Sequence, residues 1–241
     1  LRRLGWRFRP EWAPRDPALL RVARLMGPAT AGLAAVEVNI VVNSYFASRE
    51  AGAVSWLDFA FRLLYLPVGL FGVALGTIAT AGLARRAAEG DMDGLRNTLR
   101  QSLSMLAYLT VPATVGLMVL GVPVVRLLYE RGRFTPADTR ATAAALLLYS
   151  IGLVGYTGVK VLAPAFYALG RPRVPLLASV SAVATNLAVV LLLHGPIGFR
   201  AIALGTALGS LVNAGVLVGL FERRVGGLFG HGLFRPVARM A

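Results

Sequence analysis

The stretch from Trp56 to Leu83, centred on FRLLYLPVGLFGVALGT (residues 61–77), restricts this chain more than any other. It is long and apolar enough to cross a bilayer, which takes about 20 residues at a rise of 1.5 Å each. Yet it carries Arg62, Pro67 and the glycines Gly69, Gly72, Gly76 and Gly82. Arg62 lies about 9 Å along the helix from Trp56. An arginine at that depth is costly unless it faces protein or water, so it marks a functional site by default. Pro67 removes a backbone donor, and a membrane helix tolerates this where neighbours re-satisfy the freed groups. The segment is expected to face a cavity.

Composition agrees with an all-α, polytopic membrane protein. Hydrophobic residues make up 56% of the 241 residues, charged residues 15%, and the mean hydropathy is +0.67. A soluble domain of this length has no use for so much apolar surface. The net charge of +14 and pI near 11.4 raise the question of a nucleic-acid partner. The arginines fall between apolar runs rather than along one soluble face, which excludes that reading and points to control of membrane topology. With no cysteine, and only His194 and His231 as histidines, thiolate and histidine-rich metal centres are not expected. The chain opens on Leu1 with basic, aromatic sequence, and is expected to be a piece of a longer polypeptide.

Six transmembrane helices are predicted, over 22–47, 56–83, 102–120, 141–167, 174–194 and 197–221. They are preceded by a basic, aromatic segment at 1–21 and followed by a glycine-rich basic tail at 222–241. Of the 25 Lys and Arg, 17 belong to the N-terminal stretch, the second and fourth connections and the tail. Six belong to the other three connections, and Arg62 and Lys160 lie inside spans. By the positive-inside rule both ends of the chain are cytoplasmic. PVGLFGVALGT from Pro67 and PIGFRAIALGT from Pro196 match at several offsets, as the internal repeats of transporters do. Thr77 and Thr206, however, lie at different distances from the ends of their spans.

The first span holds Glu37, Asn39 and Asn43. The two asparagines are four residues apart and share a face, with Glu37 about 200° around from Asn39. Asparagines in a span serve interhelical hydrogen bonds. A carboxylate needs protonation or a cationic partner, which favours a polar cavity wall. Asn43, Asn186 and Thr206, from three spans, form a possible cation site of neutral oxygens. Lys160, one turn from the inner boundary, is placed either to line the cavity or to snorkel to the headgroups. Thr135 is expected to cap a helix with Pro136 at its first position. Tyr129–Gly132 is read as a structural turn, with Gly132 supplying an unusual backbone angle, and His194 as an interface residue. No nucleophile–base pair stands out, so an enzyme is not expected.

Three strings, RLLYLPVGLFGVALGT, LLYERGRFTPAD and YSIGLVGYTGVKVLAPAFYALGRPRVP, together resemble the MurJ/MviN lipid II flippases of bacterial inner membranes. That family belongs to the multidrug, oligosaccharidyl-lipid and polysaccharide exporter superfamily. The resemblance covers almost the whole chain, aligning it with spans seven to twelve of fourteen. It implies most of one lobe of a two-lobed transporter, the N-terminal lobe belonging to the same polypeptide. It also implies flipping of lipid II, an undecaprenyl-pyrophosphate-linked peptidoglycan precursor, to the periplasmic leaflet by alternating access. No cofactor is implied, beyond dependence on membrane potential or a coupling cation. Arg62 matches a cavity arginine that attracts the pyrophosphate, with Glu37, Asn39 and Lys160 as further substrate-binding candidates. Family members often have an aspartate just before this arginine. Phe61 stands there, and Glu37 is expected to balance Arg62 instead. The family's Asp-Thr after FYA is replaced by Gly170 and Arg171. The rival functions are a drug or polysaccharide exporter of the same superfamily and a non-transporting membrane scaffold.

Overall fold

A computed structural model describes residues 37–227. The predicted segment at 1–21, the first part of the first predicted span and residues 228–241 of the tail lie outside the described residues. The described chain is helical, with no strand among its residues. In order it contains α1 (described over 37–47), α2 (Ala53–Pro67), a six-residue π-helical stretch (Val68–Val73) and α3 (Ala74–Ala88). There follow α4 (Met92–Tyr129), α5 (Pro136–Ile151), α6 (Leu153–Ala168), α7 (Arg173–Ile197) and α8 (Arg200–Arg224).

The opening stretch of the sequence is thus one 36-residue helical run from Ala53 to Ala88, widened in the middle. Pro67 explains the widening: it has no N–H to donate, and its ring collides with the carbonyl one turn earlier. α4 runs for 38 residues, and α7 and α8 for 25 each. All four are long and apolar enough to cross a membrane. The predicted span 141–167 is drawn as two helices, α5 and α6, bent by 43° at Gly152. The pair crosses if it acts as one span, which gives up to five candidate spans among the described residues.

The turns are set by local chemistry. Asp91 caps α4 by accepting from the Gly94 N–H at 2.8 Å, and it pairs with Arg86 at 2.6 Å. Thr135 and Asp138 form the reciprocal capping box of α5, with Pro136 at its start as the sequence predicts. Asp138 also accepts from Trp56 Nε1 at 2.8 Å, which ties the start of α2 to the start of α5. Gly132 adopts φ 62 in the connection between α4 and α5, as anticipated.

Two buried apolar clusters divide the bundle lengthwise. One gathers Leu57, Leu63, Leu64, Val125, Leu146, Leu153 and Phe199, at the end where α2 and α5 begin. The other gathers Leu83, Leu95, Leu99, Val161, Phe166, Leu217 and Phe221, at the opposite end. The π-helical stretch marks the passage from one to the other, Val68 belonging to the first and Phe71 packing on the second, while the Gly152 bend lies within the first beside Leu153.

Glycines let the helices approach closely where the clusters meet α8. A Cβ on Gly155 of α6 would sit 2.6 Å from the Ser210 carbonyl carbon, and one on Gly209 of α8 would sit 2.7 Å from the Ala182 oxygen. Small residues at such contacts substitute for the hydrophobic drive that lipid does not provide. The two PxG…ALGT strings occupy unlike structures. Pro67–Thr77 runs inside a continuous helix, whereas Pro196–Thr206 contains the turn at Gly198 (φ 58). There Glu50 Oε2 accepts from the Phe199 N–H at 3.0 Å, holding the α1–α2 turn onto the α7–α8 turn.

Candidate functional site

Arg62 lies on α2, one turn before the π-helical stretch, and its side chain is 68% exposed. Its partner is Asp58, whose carboxylate is 2.9 Å from the guanidinium and 54% exposed. This corrects the expectation that Glu37 balances Arg62. Asp58 is four residues earlier on the same helix face, so it reaches the guanidinium without any tertiary arrangement. Glu37 is exposed on α1 and makes no ion pair among the described residues. The i,i+4 spacing of Asp58 and Arg62 was present in the sequence and is the signal that identifies the pair.

The exposed strip of α2 continues from Asp58 and Arg62 through Tyr65 and Leu66 to Leu70. Phe61, at the position where an aspartate was expected, turns away from Arg62 into an aromatic group. Its ring centroid is 5.6 Å from Tyr65, 5.5 Å from Tyr149 and 6.1 Å from Tyr156. Tyr156 Oη is buried without a hydrogen-bond partner among the described residues. Phe61 therefore anchors α2 against α5 and α6, and Asp58, one turn earlier on the same helix, supplies the acid.

Behind this face the π-helical stretch and α3 rest on α6. A Cβ on Gly72 would meet Thr157 Cα at 3.2 Å, and one on Gly76 would meet the Lys160 carbonyl oxygen at 2.7 Å. Lys160 contributes its backbone to this contact, while its side chain is exposed and forms no ion pair among the described residues.

Asn39, Asn43, Asn186 and Thr206 are brought together in one relay. Asn43 Nδ2 donates to Asn39 Oδ1 at 3.3 Å, and Asn39 Nδ2 donates to Asn186 Oδ1 at 2.7 Å. Asn186 Nδ2 then donates to Thr206 Oγ1 at 3.0 Å, and Thr206 Oγ1 donates to the Ile202 carbonyl at 2.7 Å. The relay pins α1 to α7 and α8. Two of its amide oxygens are spent on N–H donors, no carboxylate joins it, and Asn43 Oδ1 is the member left buried without a donor. In this arrangement the set expected to hold a cation works as protein-to-protein hydrogen bonding, and no ion-coupled step is assigned to it.

His194 packs its ring 5.0 Å from Phe46, edge to face, consistent with a residue at a helix–helix interface. Among the described residues no group of three or more His, Cys, Asp and Glu could hold a metal ion.

Known proteins share both this sequence and this fold. The sequence model described as lipid II flippase MurJ matches residues 1–240. A probable lipid II flippase MurJ of Vibrio cholerae serotype O1 is 33% identical over 214 residues, covering 88% of this chain and 41% of its own. The lipid II flippase MurJ of Burkholderia cenocepacia is 31% identical, covering 90% of this chain and 42% of its own. The chain thus spans about two-fifths of the length of these curated relatives. Among solved structures, an inward closed conformation of lipid II flippase MurJ superposes with a TM-score of 0.75 at 24% identity, over 88% of this chain and 45% of that one. An outward-facing MATE-family transporter of the MOP superfamily superposes with a TM-score of 0.69 at 16% identity, over 90% and 49%. At those identities the superpositions speak for the fold, while the match over residues 1–240 speaks for descent: the chain belongs to the lipid II flippase MurJ family.

Proposed function

We propose that this chain forms most of one lobe of a lipid II flippase, which moves a polyprenyl-pyrophosphate-linked peptidoglycan precursor across the bacterial inner membrane by alternating access. One observation carries the reading. Asp58 and Arg62 form an ion pair that is more than half exposed, partway along a helix otherwise apolar enough to cross the bilayer. Lipid cannot host such a pair cheaply, so the face that bears it is turned toward a water-filled cavity or another part of the same polypeptide. A guanidinium there stays charged and offers a planar fork of donors to phosphate oxygens. Asp58 holds the fork in place and yields it when a more highly charged pyrophosphate arrives. The distribution of arginines supports a cytoplasmic position for both ends of the chain, with the end of the bundle where α2 and α5 begin on the periplasmic side. The remaining length of the relatives corresponds to a second lobe that closes the cavity.

The test is complementation of a flippase-depleted strain by the full-length protein and its Arg62→Ala and Arg62→Lys variants. Loss of growth with Arg62→Ala at normal membrane levels, and partial rescue by Arg62→Lys, supports the cavity role. Full growth with Arg62→Ala overturns it.

A further inference from the structure

At the end of the bundle where α2 and α5 begin, a cleft of about 440 Å³ opens between the start of α2, the end of α4 and the connection into α5. That volume lies within the range of small-molecule sites. Its floor is aromatic: Trp56, Phe59, Tyr129 and Phe134 line it, with Phe59 4.6 Å from Tyr129 and 5.7 Å from Phe134 between ring centroids. Arg131 and Arg133 also line it, and both are exposed.

Asp138 also lines the cleft, and it and the neighbouring Glu130 are already engaged. Glu130 faces Arg126 at 3.5 Å and accepts from Thr139 Oγ1 at 2.6 Å. Asp138 accepts from Trp56 Nε1 and from both the backbone and the hydroxyl of Thr135. Arg131 donates to the Leu128 carbonyl, and neither it nor Arg133 has a carboxylate within 4.0 Å among the described residues. Val54, Leu127 and Leu128, within two residues in sequence of the lining residues Ser55 and Tyr129, are exposed apolar residues, Leu127 at 80%.

A cleft with aromatic walls and two uncompensated guanidinium groups, on helix ends that also expose apolar side chains, suits an anionic head on an acyl or prenyl chain. The charge pattern argues the same way. Four of the six arginines on connections assigned to the outer side belong to residues 126–140, where the positive-inside rule disfavours them. We propose that this cleft binds the phosphate of a membrane lipid, its chain lying along Val54, Leu127 and Leu128. Arg131 and Arg133 supply donors to the phosphate oxygens, as basic pockets at membrane surfaces do for anionic headgroups. The site is separate from Asp58 and Arg62, and its occupancy does not require transport.

Trp56 gives a direct readout. The full-length protein is reconstituted in vesicles containing brominated phosphatidylglycerol or brominated phosphatidylcholine. The Trp56 signal is isolated as the difference from Trp56→Phe. Quenching is expected to show about a tenfold preference for phosphatidylglycerol, reduced to near unity in Arg131→Gln/Arg133→Gln. Arg131→Lys/Arg133→Lys is expected to retain most of the preference, which separates charge from local folding. Displacement by undecaprenyl pyrophosphate at a small mole fraction identifies the carried lipid as the occupant, and resistance to it identifies bulk phospholipid. Equal quenching by the two brominated lipids, or a preference that survives the double glutamine variant, overturns the proposal.

Discussion

Asp58 and Arg62 meet at 2.9 Å across one turn of α2, with more than half of each side chain exposed. In water such a pair contributes about 0.3–0.5 kcal/mol. Its significance lies in where it stands, on a helix whose other exposed residues, Tyr65, Leu66 and Leu70, suit an apolar setting. Double-mutant cycles of transport are expected to show coupling between Asp58→Asn and Arg62→Gln of at least about 0.5 kcal/mol. Glu37→Gln and Arg62→Gln are expected to add, since no ion pair joins them. Additivity of the first pair, measured as lipid II flipping in vesicles, refutes the pairing.

The asparagine relay makes a prediction about stability rather than transport. Asn186 is 3% exposed and bonds both Asn39 and Thr206. Asn186→Ala leaves a donor on Asn39 and an acceptor on Thr206 unmet, at a cost of about 2 kcal/mol. Thr206→Val removes one of these links and is expected to cost about half as much. Thermal denaturation of the purified full-length protein checks the order. A Thr206→Val effect larger than that of Asn186→Ala would show that the relay is not the unit described.

Close packing at Gly155 predicts a contrast between two glycines. Gly155→Val drives a side chain into the Ser210 backbone and is expected to destabilise by about 2–3 kcal/mol. Gly116, in the middle of α4, has nothing within 4 Å of a would-be Cβ. Gly116→Ala is therefore expected to leave stability unchanged or raise it by up to about 1 kcal/mol. Thermal shift of the two variants side by side decides the matter, and equal losses count against the packing argument.

Much of the fold was legible in the sequence, because long apolar runs and their flanking arginines leave few alternatives. The cap at Thr135 and the turn at Gly132 were legible too, since their chemistry is local. The widening after Pro67 was not, because a proline fixes a missing donor but not how the next turn absorbs it. The Gly152 bend depends on α6 meeting Ala207 and Ser210 of α8, a tertiary contact that no spacing announces. At the site, Asn186 and Thr206 are grouped by the sequence reading, but the bond from Asn39 to Asn186 is not, since it joins helices 147 residues apart in the chain. Asp58 is readable by its spacing, since an acid four residues before Arg62 shares its helix face while the residue immediately before it does not.

The turn between α3 and α4 carries a pH prediction. The Gly94 N–H holds the Asp91 carboxyl below its ordinary pKa of 3.8 against the opposing effect of desolvation, and Arg86 adds to the lowering. Because the folded value is depressed, the cap's contribution is fully present above pH 3.8 and is lost as pH falls through the lower folded value. Hydrogen exchange across the first turns of α4 is expected to speed up in that acid window, relative to Asp91→Asn measured at the same pH. Asp91→Asn lacks the titration and retains a weaker cap. An identical pH response in both proteins rules out the assignment.

The division of the buried apolar residues into two clusters has a mechanical consequence. Leu64 and Leu146 pack at one end of the bundle, and Leu83, Phe166 and Phe221 at the other. Between them the run from Ala53 to Ala88 is interrupted by the wide turn after Pro67, while α4, α7 and α8 pass from one cluster to the other as single helices. A load applied to one end is thus carried to the other by three helices and relieved in the run from Ala53 to Ala88. The compliance is therefore local: the wide turn is the place where α2 can shift against α3 while α4, α7 and α8 brace the bundle from end to end.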